Sequence, residues 1–431
     1  MTAALIGFAC VIALALAGVR IAFASLLVGI VGIASVRGLD AAFTVTGQQV
    51  IENATNYNLS VIPLFILMGV LIYRADLSSD LYDSAYAALG TLRGGLAHAT
   101  VLACAGFSAV CGSSLATAAT MTKVAVPSMR RRGYDDRLAT GTVAAGGTLG
   151  IMIPPSVPLV IYGIVAEQDV GRLFVAALVP GLLLVASFLL VVSLTVRFRP
   201  DMAPAGERLP ADAARRALAG TVPVLLLFAL VLGGIYGGVF TPTEAGGMGA
   251  LGAAAIAVAR GHLRSVSEWR EALAEAATST AAIFAVIFGT LVFSQYVNLS
   301  GMPYDLVDLV LDLGLGPVGL VAAVAVLAIL MGMIFESIGI LLLLVPVFLP
   351  ALIDTGVDLI WFGIVVVLVT ELGLITPPVG MNVFIVRATA SDATLGSVFA
   401  GVVPFALAML LVLGALLASP GIATLLPRLL D

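Results

Sequence analysis

Leu149-Gly150-Ile151-Met152-Ile153-Pro154-Pro155-Ser156 recurs in the second half of the chain as Leu372-Gly373-Leu374-Ile375-Thr376-Pro377-Pro378-Val379. In both copies L-G-x-x-x-P-P interrupts an apolar run of membrane-helix length, and proline there removes a backbone donor and crowds the carbonyl one turn back. The carbonyls of Gly150, Ile151, Gly373 and Leu374 are therefore expected to lose their helical partners. Broken helices at corresponding places in two half-chains mark a midplane binding site of a membrane transporter.

The match extends beyond these runs. At one constant offset Ser114 pairs with Ser337, Pro127 with Pro350, Gly133 with Gly356 and Gly150 with Gly373. Leu77-Ser78-x-x-x-Tyr82-Asp83 likewise recurs as Leu299-Ser300-x-x-x-Tyr304-Asp305. Charge then orients the halves. Arg130, Arg131, Arg132 and Arg137 follow the first hairpin, whereas Asp354 and Asp358 follow the second with no base. Arg74 and Arg93 flank the first surface helix, and Asp305, Asp308 and Asp312 lie on its counterpart. The positive-inside rule places equivalent loops on opposite sides, so the halves are inverted repeats with both termini outside.

Hydrophobic residues make up 61% of the 431 and charged residues 10%, with a mean hydropathy of +1.16. That composition excludes a soluble fold, and the helix-length apolar runs exclude an outer-membrane barrel. The fold class is an all-α polytopic membrane protein, with a re-entrant helical hairpin and a broken transmembrane helix in each repeat. A net charge of -5 with scattered bases gives nucleic acid no footprint. Cys10, Cys104 and Cys111 lie in apolar runs, which argues against disulfides and zinc. No clustered His or acid beside a nucleophile suggests an enzyme.

Residues 1–60 are read as N-terminal scaffold spans, two of them meeting at Gly18-Val19-Arg20, plus an interfacial segment. The first repeat occupies 61–196, with a hairpin at about 94–130 and a broken helix at about 137–166. A cytoplasmic linker, 197–220, carries Arg197, Arg199, Arg208, Arg215 and Arg216 against Asp201, Glu207 and Asp212. A central span pair and an interfacial helix fill 221–275, and the second repeat 276–417 has its hairpin at about 315–351 and broken helix at about 358–387. Residues 418–431 form a tail. The inner arm 115–129 would reach only about 22 Å as a helix, against roughly 30 Å of hydrocarbon, so the hairpin is expected to turn back at Gly112-Ser113-Ser114. The helices at 77–93 and 299–313 are read as surface braces.

Neutral oxygens at each tip and break suit a small cation such as sodium. The first set is Ser113, Ser114 and Thr117 with carbonyls near Gly150 and Pro154; the second is Glu336, Ser337, Gly339 and Thr376 with carbonyls near Gly373 and Pro377. The competing reading is that these small and hydroxyl residues only let helices approach closely. Intramembrane acids are functional by default. For Glu371 the family resemblance given below implies a structural bridge or a part of the ion site, and Glu336 stays open between structure, ion ligand and proton carrier. The half-helix amino ends, at Ser156, Gly380 and Asn382, offer backbone donors able to receive a carboxylate. His98 and Lys123 are read as snorkelling residues, and Arg387 as a topology marker or an anion contact.

Gly112-Ser113-Ser114 through Ala118, Pro127 through Gly133-Tyr134, both L-G-x-x-x-P-P runs with Glu371 and Gly380, and Thr241-Pro242-Thr243-Glu244-Ala245 carry a family resemblance. Together, and over essentially the whole chain, they resemble the large membrane (M, DctM-like) subunit of tripartite ATP-independent periplasmic (TRAP) transporters. Cys111 before the first tip departs from the pattern. The resemblance implies an elevator-type inverted-repeat fold in a bacterial inner membrane and sodium-coupled uptake of a small organic anion. It also implies a small four-helix (DctQ-like) membrane subunit and a soluble periplasmic substrate-binding protein as separate partners. No cofactor is expected beyond Na+ as coupling ion. Dicarboxylates, keto acids, sialic acid and sugar acids all stay open as substrates. A self-sufficient sodium- or proton-coupled symporter and a non-transporting structural or channel-like subunit stand as alternatives.

Overall fold

The computed structural model describes residues 2–206 and 210–430, so Glu207 and Arg208 of the linker lie outside the described residues. All regular structure among the described residues is helical. The chain opens with α1 (Thr2–Leu16) and α2 (Ile21–Arg37), which part where Gly18 takes φ 91°. After α3 (Leu39–Ala54) a loop and one 3-10 turn lead to α4 (Val61–Arg74) and α5 (Leu77–Leu89). The first hairpin is α6 (Gly95–Cys111) and α7 (Ser114–Arg131). Its broken helix is α8 (Asp136–Gly146) and α9 (Val157–Val165), followed by α10 (Val170–Phe198).

Next come α11 (Ala211–Tyr236), α12 (Pro242–Ala259) and α13 (Val266–Leu299). Then α14 (Met302–Asp312) leads to the second hairpin, α15 (Pro317–Gly332) and α16 (Ser337–Asp354). The second broken helix is α17 (Leu359–Gly373) and α18 (Met381–Thr389), and α19 (Leu395–Ala418) and α20 (Gly421–Leu430) close the chain. Among the described residues six helices are long and apolar enough to cross a membrane.

Three boundaries differ from the sequence reading. No separate interfacial helix exists within 261–275: Ser265 and Glu268 form a capping box that starts α13, and its 34 residues then meet no proline and a single glycine, Gly289. Within the linker 197–220, α11 begins at Ala211 and residues 200–204 are pinned to the first hairpin's foot. There Arg93 Nη2 donates to the Pro200 carbonyl at 3.0 Å, and the Asp135 N–H to that of Met202 at 3.0 Å. The tail is helical and packs as α20 on α10. The inner arm α7 has 18 residues, about 27 Å, still below the hydrocarbon thickness.

Packing separates an outer framework from an inner body. In the framework α2 lies along α13, α12 along α4 and α11 on α5. In the inner body α8 packs on α19, α15 on α17, and α10 on α19 and α20. The two halves interlock there, because α9 rests on the second hairpin's α16 and α18 on the first hairpin's α7. Framework meets body mainly through α5 on α6 and through α13 and α14 on α16. At the basic end Arg74 binds Glu271 (3.0 Å) and Glu275 (2.8 Å), Arg260 pairs with Asp80, and Arg130 with Asp136 (2.6 Å). Under the offset that carries Gly150 onto Gly373, α3 and α4 together fall on the single helix α13.

Close backbone approach joins α8 to α19, since a methyl added at Gly401 would overlap the Arg137 carbonyl. Overpacking of that kind costs about 1–3 kcal/mol. Gly401→Ala is therefore expected to lower the melting temperature of the purified chain. Gly414→Ala, which meets nothing within 4 Å, should leave it within error, and equal melting of the two variants would refute this packing.

Candidate functional site

Glu371 lies near the end of α17 in an otherwise apolar helix and is fully buried. Its Oε2 accepts from Ser114 Oγ at 2.5 Å and its Oε1 from Ser337 Oγ at 2.6 Å. These serines are repeat mates and open the inner arms α7 and α16. One carboxylate thus ties both tips to the second broken helix. Its mate in the first repeat is Thr148, whose hydroxyl turns back to the Ala145 carbonyl at 2.7 Å.

Each break also receives the outer arm of a hairpin. At the first, a methyl on Gly150 would overlap Ser108, whose Oγ donates to the Gly147 carbonyl at 3.2 Å. At the second, a methyl on Gly373 would overlap the Gly332 backbone. Ser108 and Gly332 were missed by sequence reasoning, which attended to the tips; a serine or glycine several residues before a tip gives no local signal. The peptide bonds Pro154-Pro155 and Pro377-Pro378 are cis.

The carbonyls expected to be orphaned are mostly partnered. Those of Gly150, Gly373 and Leu374 accept the N–H of Ile153 (3.2 Å), Thr376 (3.0 Å) and Asn382 (3.0 Å). Tight turns supply these donors, and each carbonyl keeps a second lone pair. Thr376 donates to the Leu372 carbonyl at 2.6 Å and Thr117 to that of Ser113 at 2.9 Å, which leaves their hydroxyl lone pairs. Ser113 Oγ caps α7 by accepting the Ala116 N–H at 3.3 Å. Gly339 does not join the second set: it faces Ile21 of α2, with Cδ1 3.0 Å from where its methyl would stand.

A cavity of about 1120 Å³ opens beneath the tips, between α4, α7 and α13. Ser113, Thr120 and Lys123 line one wall, Tyr73 and Glu275 another, and Glu336 and Ser337 the second tip. Val157, Pro158 and Met381 bring the half-helix starts to it. The three residues expected to receive a carboxylate, Ser156, Gly380 and Asn382, are not among its walls. Ser156 is buried and accepts the Leu159 N–H at 3.4 Å. Asn382 is buried, donates Nδ2 to the Ala144 carbonyl at 3.2 Å and joins the two broken helices. At each amino end one backbone donor is met by its own chain, Leu159 N–H by Ser156 Oγ and Asn382 N–H by the Leu374 carbonyl.

His98 is no snorkelling residue: it is buried, and its ring nitrogens meet the Gly94 carbonyl (3.0 Å) and Ser193 Oγ (2.9 Å), fastening the hairpin to α10. Lys123 is exposed on the cavity wall, and Arg387 is half-buried near the end of α18. Arg20 also lines the cavity. Its sequence signal is a charge inside an apolar run. No group of His, Cys, Asp and Glu able to hold a metal occurs among the described residues.

Residues 4–422 match the family model described as the tripartite ATP-independent periplasmic transporter, DctM component. The C4-dicarboxylate TRAP transporter large permease protein DctM of Pseudomonas aeruginosa is 36% identical over 382 residues, covering 88% of each chain. The sialic acid TRAP transporter large permease protein SiaM of Vibrio cholerae is 31% identical over 385 residues, 89% of each. The isethionate TRAP transporter permease protein DctMQ of Oleidesulfovibrio alaskensis is 31% identical over 369 residues, 85% of this chain and 58% of that one. Among solved structures, the YdaH transporter of Alcanivorax borkumensis superposes with a TM-score of 0.65 at 17% identity over 88% of both chains, a likeness of fold.

Hydrogen bonds to a charged acceptor are worth about 1.5–3 kcal/mol each. Ser114→Ala and Ser337→Ala should each destabilise the chain by that order in thermal unfolding. Their double mutant should depart from additivity, because both hydroxyls serve one carboxylate. Strict additivity, or no destabilisation, would contradict the bridge.

Proposed function

The chain belongs to the DctM family of TRAP transporter components, a multi-pass inner-membrane permease subunit, and from that we propose that it carries a small organic anion inward, coupled to sodium, by an elevator movement. The observation that carries the proposal is the meeting of both re-entrant tips at Glu371 of the second broken helix, beside one open cavity. The C4-dicarboxylate, sialic acid and isethionate named for its relatives are all small organic anions. A cavity of about 1120 Å³ has room for such a solute.

Sodium would bind where a hairpin's outer arm presses on a break. At the first break Ser108 Oγ and the carbonyls of Gly147, Gly150 and Pro154 supply neutral oxygens beside Ser113; at the second the Gly373 and Pro377 carbonyls and Thr376 Oγ1 do so beside Gly332. Glu371 has both oxygens held by serines, which suits a bridge better than a mobile proton carrier. Elevator movement is supported by the division into framework and body, whose shared contacts run through a few helices. The partners would be a small membrane subunit and a periplasmic binding protein. This chain covers 58% of the length of the DctMQ relative.

Reconstitution with candidate partners into proteoliposomes tests the whole reading. A labelled organic anion should accumulate only with all three proteins and an inward sodium gradient. Uptake by this chain alone would move it to the self-sufficient symporters, and sodium-independent uptake driven by a pH gradient would remove the sodium assignment. For the movement, a cysteine pair replacing Ile21 and Gly339 should abolish uptake when cross-linked and restore it on reduction. Undiminished uptake by the cross-linked chain would end the elevator proposal.

A further inference from the structure

We propose, resting on the organic-anion reading above, that Arg20 is an anion-binding residue of the transport cavity, through which the fixed framework grips the acidic group of the substrate. Arg20 stands in the turn between α1 and α2, where residues 2–37 contain a single other charge, Arg37 at the far end. Its side chain is exposed and lines the cavity. The next residue, Ile21, packs on Gly339, two residues past Ser337, so the turn docks at the second hairpin's tip. One residue further, the Ala22 carbonyl lies against Gly289 of α13. Gly289 is roughly 21 Å along that helix from Glu275, which pairs with Arg74 at the basic end. The guanidinium is therefore deep, level with the tips.

A cation at such depth is costly and functional by default. Among the described residues Arg20 makes no ion pair or side-chain hydrogen bond. Two of the acids nearby are taken, Glu275 by Arg74 at 2.8 Å and Glu371 by its two serines. Glu336 shares the cavity but belongs to the inner body and makes no pair with Arg20. What the guanidinium offers is a planar fork of donors, which matches a carboxylate or sulfonate in two parallel hydrogen bonds. Because Arg20 sits on the framework and Ser113 on the body, an anion held between them would be let go when the body moves.

The test measures the cavity's charge preference and needs no knowledge of the substrate. In the full chain, Cys10 and Cys111 are replaced by alanine, buried Cys104 is kept, and Ala116, exposed on the cavity wall, becomes the reporter cysteine. Its modification rate by an anionic sulfonatoethyl thiosulfonate is divided by that by a cationic trimethylammonium-ethyl analogue. Arg20→Gln should lower this ratio by about tenfold, as loss of a focused positive field requires, and Arg20→Lys should restore most of it. In the Arg20 chain itself the ratio should fall as salt is raised. An unchanged ratio in Arg20→Gln, or a salt-independent one should that variant not fold, overturns the assignment. Uptake in the three-protein system runs in parallel: Arg20→Gln should raise KM for the transported anion, and an unchanged KM also overturns it. Failure of the unsubstituted system to move any organic anion would sink the functional reading, while the cysteine ratio would still decide Arg20.

Discussion

A carboxylate buried among apolar helices stays only if its oxygens are met, and at Glu371 each oxygen is met by one serine. The cost of removing this acid from water is offset in part by two short hydrogen bonds. Their donors come from opposite hairpins, so one side chain holds two re-entrant elements that share little other structure. Both tips are thereby brought to the depth of the proline breaks, where the hairpins' outer arms press on Gly150 and Gly373. The inverted symmetry is broken at that same point: Thr148 stands where a second acid would be and bonds within its own helix.

The parts of this arrangement written in backbone-determining residues could be read from the chain. Proline pairs, glycines and loop arginines announce where helices break, how close they pass and which end is which, and Glu371 stood out because acids are rare in such runs. What could not be read was which face of a residue meets which neighbour. Gly339 and Ser337 are two positions apart, yet one faces the framework and the other the carboxylate. Ser156 and Asn382 occupy the expected half-helix starts, but their polar atoms are turned into the fold. Alternatives at 261–275 turned on a boundary: charged and apolar residues at helical spacing suit a surface helix or the first turns of a long one, and only the packing of α13 against α2 and α4 decides between them.

Family membership fixes the kind of machine, while the chain's own residues account for its internal geometry. Glycine contacts such as Gly141 with Gly401 and Gly29 with Phe293 bring backbones together where lipid supplies no hydrophobic drive. His98 and Asn382, both buried, are fasteners within the body and not contacts of the cavity.

The unbroken α13 has a mechanical consequence. At 34 residues it is a rod of about 51 Å, while the same place in the first repeat is filled by α3 and α4 with an interruption between them. Bending stiffness is thus unequal on the two sides of the framework. The helical ladder is interrupted at residues 55–60 on the one side, whereas on the other α13 runs through without a break. A body moving between them, as proposed, would have one more yielding guide and one stiffer one.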